Sequence, residues 1–216
     1  NIKWLKKHQN SNVLIKDVSE SIGLLALQGP KSRKLLNKLI DIDIKELSFY
    51  HFKHGSVKGI NAMISRTGYT GELGYEIFVK SENLVELWRS LLLEGKEFGI
   101  IPVGLGCRDT LRMEMRYHLY GLDIDESINP IDAGLSWVIK FGKEHFIGRN
   151  ELINFQLKSQ KKFVCIKMAE RAIPRSGNSI LFNDKVIGEV TSGTMSPSLK
   201  KGICFGYVES IKSQPK

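Results

Sequence analysis

At 216 residues and 24.4 kDa, with 42% hydrophobic and 25% charged residues, the chain has the balance of a soluble globular protein of one or two domains. No run approaches the ~18–20 apolar residues that cross a bilayer, and nothing at the N-terminus reads as a secretory leader, so no membrane association is expected. The net charge of +9 is scattered, with short pairs only at Lys6-Lys7, Lys161-Lys162 and Lys200-Lys201, which argues against nucleic acid and for an anionic small molecule or acidic protein as partner.

In chain order, Trp4-Leu5 fits a short helix, and Gly23–Gln28 is a short apolar run closed by Gly29-Pro30, which predicts a buried strand. Pro30 suits the first turn of a helix carrying Leu35, Leu36, Leu39 and Ile40. Strands are predicted at Gly55–Lys58, Ile60–Ser65 and Tyr75–Val79, the last two separated by Thr67–Gly74. Three glycines in that loop predict a sharp bend or close approach of a ligand to the backbone. Leu84, Leu87, Trp88, Leu91 and Leu92 mark an amphipathic helix with Ser81 as its expected N-cap. Gly104-Leu105-Gly106 opens a helix running to about Met115, Trp137–Ile139 reads as a strand, and Ile147-Gly148-Arg149 introduces another helix. Past Lys158, apolar runs at Phe163–Met168, Ser179–Phe182, Lys185–Ser192 and Ile203–Val208 alternate with Gly, Asn and Asp turns, the spacing of a small β-barrel or sandwich. A domain boundary is therefore expected near Ser159, and the fold class is α+β.

Three features carry possible chemistry. Alternation along a strand puts Tyr75, Ile77 and Val79 on one face and Glu76 and Phe78 on the other. A carboxylate in so apolar a strand either faces water or meets a specific partner, because burying it unpaired is costly. Arg108, Arg112 and Arg116 recur every four residues and are expected to share one helix face. Either that face is a solvated stripe bridged by Asp109 and Glu114, or anions sit against it; arginine at all three positions suits planar, bidentate recognition. Asp123, Asp125 and Glu126 are close together but lack the ligand spacing of a calcium loop, and the five histidines show no zinc-site pattern, so no metal is expected. Cys107, Cys165 and Cys204 are odd in number and far apart, which fits reduced thiols. These residues alone name no reaction.

Taken together, several stretches resemble the aminomethyltransferase family, the folate-binding T-proteins of the glycine cleavage system. They are Leu25–Pro30, Thr67–Glu72 with Gly74–Ile77, Gly104–Arg112, Leu119-Tyr120-Gly121, Asp123–Glu126, Pro130, Trp137, Phe146–Arg149, Thr191-Ser192-Gly193 and Ser196-Pro197. The resemblance runs from about Ile22 to Gly206. It implies a folate-binding domain over residues 1–158 and a small C-terminal β-barrel domain over 159–216. It also implies a transferase of glycine catabolism and one-carbon metabolism. The lipoylated H-protein presents an aminomethyl group on a dihydrolipoyl sulfur; tetrahydrofolate, the co-substrate, takes the one-carbon unit, giving 5,10-methylenetetrahydrofolate and ammonia. By the same resemblance Glu76 matches a carboxylate that binds the pterin edge, Arg108 a second folate contact, and Tyr69 and Trp137 aromatic positions at the site. A carboxylate can accept the parallel donors of a pterin's 2-amino group and ring N–H. Arg112 and Arg116 stay structural.

The opening at Asn1 and the ending at Ser213–Lys216 look cut, and the family's Gly-Gly-x-x-Asp-Asp-Leu-like aspartate has no counterpart, so no catalytic residue is assigned. A piece of this extent is expected to bind folate poorly and to catalyse nothing. The alternatives are the T-like domain of a dimethylglycine or sarcosine oxidase, and a folate-binding relative without turnover. A further relative, involved in iron–sulfur assembly, carries a Lys-Gly-Cys-Tyr-type motif that is absent near Phe146–Arg149. The expected compartment is the cytoplasm, or the mitochondrial matrix in a eukaryote.

Overall fold

The computed structural model describes residues 1–156 and 158–209. The chain divides into two compact units, Asn1–Val103 and Gly104–Lys216. Helices accompany an antiparallel sheet in each, an α+β fold as expected.

In the first unit α1 (Ile2–Lys7) precedes β1 (Ile22–Gln28), α2 (Ser32–Asn37), β2 (Phe52–Val57), β3 (Ile60–Ser65), β4 (Gly74–Lys80) and α3 (Leu84–Glu94). The sheet order is β1-β4-β3-β2, all antiparallel. β2 and β3 are joined by the two-residue turn Lys58-Gly59, both with positive φ (54° and 78°), the geometry whose twist matches a hairpin. Leu27, Ile64, Tyr75, Ile77 and Val79 are buried and pack with Leu35 and Leu36 of α2 and Leu87 and Leu91 of α3. Period-2 strands thus meet period-3.6 helices over one core, as the apolar spacing predicts. Ser81 is not the N-cap of α3. It begins a short 3-10 turn, Ser81–Asn83, and its hydroxyl donates to the carbonyl of Glu20 (3.0 Å), so it ties the helix entry to the start of β1 instead.

In the second unit α4 (Leu105–Glu114) and α5 (Arg149–Gln156) precede β5 (Lys161–Lys167), β6 (Ser179–Phe182), β7 (Lys185–Ser196) and β8 (Lys201–Glu209), with sheet order β5-β8-β7-β6. The β6–β7 turn is again a positive-φ pair, Asn183-Asp184. Central strand β8 is buried along Gly202–Val208, and Phe163, Ile203, Phe205 and Tyr207 form a core with Met113 of α4. Trp137 is not in a strand. Ser136–Val138 form one 3-10 turn, with the Val138 and Ile139 amides donating back to Leu135 and Ser136, because this three-residue apolar run pairs with no neighbouring strand. The expected break near Ser159 lies inside the second unit, and the end of the expected barrel domain, residues 210–216, lies outside the described residues.

Candidate functional site

Glu76 stands at the centre of β4, the strand paired on both sides. Its cross-strand neighbours are Ala26 on β1 and Ser65 on β3, and the flanking rung is Leu24, Phe78 and Met63. This is the sheet face opposite the helix-covered core, so a half-buried carboxylate sits among apolar side chains on a surface no helix of the core covers. Such a platform can receive a flat ring, with Glu76 accepting N–H donors at its edge.

Glu76 is neither bare nor simply solvated. Its Oε2 accepts a short hydrogen bond from the Thr67 hydroxyl, and Thr67 Oγ1 lies 2.9 Å from Ser65 Oγ. A hydroxyl has one proton; with Thr67 donating to the carboxylate, Ser65 supplies its own to Thr67. The loop from Thr67 to Gly74, which carries half-buried Tyr69, is held by Gln28 at the end of β1. Gln28 Nε2 donates to the carbonyls of Thr67 (3.2 Å) and Tyr75 (3.3 Å), and Oε1 accepts from Thr70 Oγ1 (3.0 Å). A Cβ on Gly68 or Gly74 would come within 2.0 and 2.2 Å of Gln28 Oε1. Two of the three loop glycines therefore make room for the protein's own glutamine, not for a ligand, while Gly71 supplies the positive φ (75°) of the bend.

In the second unit the three arginines diverge. Arg108 is exposed in the first turn of α4. Arg112 is 1% exposed, so the solvated-stripe reading fails for it. Its guanidinium donates to Asp109 Oδ1 (2.8 Å), Asp123 Oδ2 (2.6 Å), Ser192 Oγ (2.8 Å) and the Tyr117 carbonyl (3.1 Å). Asp123, fully buried, also accepts from the Leu119 amide (2.9 Å) and Thr191 Oγ1 (2.5 Å). Arg116 is past the helix end with φ 60° and lies over the Phe163 ring, 5.5 Å from its centre, so it leaves the shared face. Glu114 does not bridge the arginines either; it accepts from Ser196 Oγ, Ser198 Oγ and the Ser198 amide and fixes the β7–β8 loop. Burial pushes Glu114 upward, but these donors outweigh it and hold the carboxyl below its ordinary range.

Of the four residues singled out from the sequence, Glu76 and Tyr69 share one unit, where Tyr69 lies in the loop held by Gln28; Arg108 and Trp137 lie in the other, Trp137 67% exposed. Two cavities of about 570 and 290 Å³, lined in part by Met195 and Lys201 and by His145 and Glu151, contain none of the four. Sequence reasoning missed Thr67, Gln28, Asp123, Thr191 and Ser192 as partners. The one available signal was the pair of glycines, Gly68 and Gly74, that make room for Gln28; among Asp109, Asp123, Asp125 and Glu126 nothing in the sequence singles out Asp123. Among the described residues no group of His, Cys, Asp or Glu converges as a metal site, and none of the three cysteines is in a disulfide.

His118 stacks on Phe163 with ring centres 4.2 Å apart, and burial pushes its pKa below the ordinary histidine value despite the opposing pull of Asp123. The unfolded chain then binds this proton more readily than the folded one, so the contribution to stability is complete above the ordinary value of 6.5 and shrinks as pH falls through and below it. Thermal unfolding should show a drop in midpoint between pH 7 and pH 5.5 that is smaller in His118→Phe; an equal drop in both would contradict this.

Residues 1–143 match the family model described as the GCVT N-terminal domain, and residues 161–216 match the glycine cleavage T-protein C-terminal barrel domain. An aminomethyltransferase of Halothermothrix orenii is 46% identical over 213 residues, covering 98% of this chain and 60% of that protein. One of Chloroherpeton thalassium is 44% identical, covering 98% and 59%. This chain thus spans about 60% of the length of these relatives. A crystal structure of glycine cleavage system aminomethyltransferase T from Bartonella henselae matches with a TM-score of 0.67 at 22% identity, over 90% of this chain and 78% of that one, a likeness of fold.

Proposed function

Because the chain belongs to the glycine cleavage T-protein family of aminomethyltransferases, we propose that the polypeptide it comes from transfers the one-carbon unit of an aminomethyl-dihydrolipoyl H-protein to tetrahydrofolate. The products are 5,10-methylenetetrahydrofolate, ammonia and the reduced lipoyl arm. The observation that carries this reading is Glu76, a half-buried carboxylate on an apolar sheet face, already oriented by Thr67. That environment fits a reduced pterin. The apolar side chains favour its ring, and the carboxylate accepts the paired donors of its 2-amino group and neighbouring ring N–H. When bound, the folate supplies the nitrogens that accept the carbon unit; this chain's residues bind and orient it.

Tyr69, Arg108 and Trp137 are proposed as further folate contacts on the strength of the family pattern, and no residue is assigned to the bond-making step. The division into a folate-binding domain (1–158) and a C-terminal β-barrel domain (159–216) is supported by the two family matches, which leave residues 144–160 between them. A cytoplasmic or matrix location is supported by the three cysteines outside any disulfide. Among the described residues no helix is long and apolar enough to cross a membrane.

The reaction is tested with the complete polypeptide, aminomethylated H-protein and tetrahydrofolate. Ammonia and methylenetetrahydrofolate should form in equal amounts and only when both substrates are present. Ammonia release independent of folate, or none at all, would reject the assignment.

A further inference from the structure

We propose that Thr67 is a positioning residue for the pterin end of the folate: its hydroxyl fixes the Glu76 carboxylate in the orientation that receives the ligand. This rests on the reading of Glu76 given above. The Glu76 side chain has three rotatable bonds and stands on an open sheet face, so by itself it would sample several rotamers. Thr67 removes that freedom with a hydrogen bond to Oε2. It is itself held at two points, by Ser65 Oγ at its hydroxyl (2.9 Å) and by Gln28 Nε2 at its carbonyl (3.2 Å). Gln28 also grips the carbonyl of Tyr75, the residue before Glu76 on β4 (3.3 Å). One glutamine amide thus sets the distance between the loop that brings the hydroxyl and the strand that brings the carboxylate.

The bookkeeping of lone pairs permits both partners. An ionised carboxylate offers about four acceptor directions. Thr67 uses one on Oε2, which leaves Oε1 and the second direction of Oε2 for two parallel N–H donors. Ser65 is directly opposite Glu76 across the β3–β4 pair, so the hydroxyl chain Ser65, Thr67, Glu76 closes over a single rung of the sheet. Only a residue with a hydroxyl at position 67 completes it: valine has the same shape and no proton to give, and serine keeps the proton.

The test uses Thr67→Val, Thr67→Ser and Glu76→Gln in the complete polypeptide, titrated with three probes: tetrahydrofolate, 6-methyltetrahydropterin (the ring without the tail) and p-aminobenzoylglutamate (the tail without the ring). Thr67→Val should weaken both pterin-containing probes by about tenfold, the worth of one charge-assisted hydrogen bond. Thr67→Ser should stay within about twofold of the parent, and binding of the tail should be unchanged in every variant. Should Thr67→Val not fold, Thr67→Cys, whose thiol is a weak donor, is read by the same criteria. The proposal is overturned if Thr67→Val (or Thr67→Cys in its place) binds the ring as the parent does, or if it loses ring and tail equally and Thr67→Ser shares the loss, which is the mark of a merely structural loop. Glu76→Gln separates the two levels. If it leaves ring binding intact, the pterin reading fails along with this one; if it weakens the ring while Thr67→Val does not, the positioning role alone fails.

Discussion

Arg112→Met should destabilise the second unit by about 3–5 kcal/mol, the usual cost of stranding one partner of a buried ion pair. Methionine keeps much of the stem volume of the arginine but none of its donors. Asp123, fully buried, would keep the Leu119 amide and the Thr191 hydroxyl but lose the guanidinium that neutralises it, 2.6 Å away. Ser192 and the Tyr117 carbonyl would lose their donor in the same step. The shift in urea midpoint, read on the complete polypeptide, measures the effect. Removing both charges, as in Arg112→Met with Asp123→Leu, should cost less than either change alone, since no buried charge remains. Arg108→Met, four residues earlier and exposed, should move stability by no more than about 0.5 kcal/mol. A loss at Arg112 as small as that at Arg108 would show that the buried network is not what anchors α4 to the strands of its unit.

The contrast between these two arginines marks where reading the sequence stops. Period-2 alternation placed Glu76 opposite Tyr75, Ile77 and Val79, and the structure has that arrangement, because a strand's side-chain direction is a local property. Helical spacing likewise found α2, α3 and α4 within a few residues of their ends. Local spacing offers Arg112 the carboxylate of Asp109 three residues before it, which does not tell a buried arginine from an exposed one. What buries the second is an acid 11 residues on and a serine 80 residues on, and no periodicity reports contacts of that separation. Thr191-Ser192-Gly193 was legible only as part of a family resemblance, although its hydroxyls satisfy the pair. The expected shared face of three arginines failed at Arg116 for a different reason: the helix ends two residues before it, and its left-handed backbone turns the side chain onto Phe163. Trp137–Ile139 was read as a strand because a short apolar run carries no phase; lacking a pairing partner, it closes as a 3-10 turn. The glycine loop was read as a sharp bend or a close approach of a ligand; Gly71 makes the bend, and the space at Gly68 and Gly74 belongs to Gln28, distant in sequence and adjacent across β1 and β4.

The second large effect concerns binding. Glu76→Ala should lower tetrahydrofolate affinity about 100-fold, since two hydrogen bonds to a charged acceptor at ~1.5 kcal/mol each amount to roughly 3 kcal/mol. Removing the carboxylate also leaves Thr67 without the acceptor that orients it, so the loss is not recovered by the apolar platform of Leu24, Met63 and Phe78. Arg116→Ala removes a cation of the same chain that lies against Phe163, and should change affinity by less than about threefold. The direct measurement is a tetrahydrofolate titration of the complete polypeptide carrying each substitution in turn. A deep loss is expected for Glu76→Ala beside a near-parental value for Arg116→Ala; equal affinities in the two variants would overturn the placement of the pterin at Glu76.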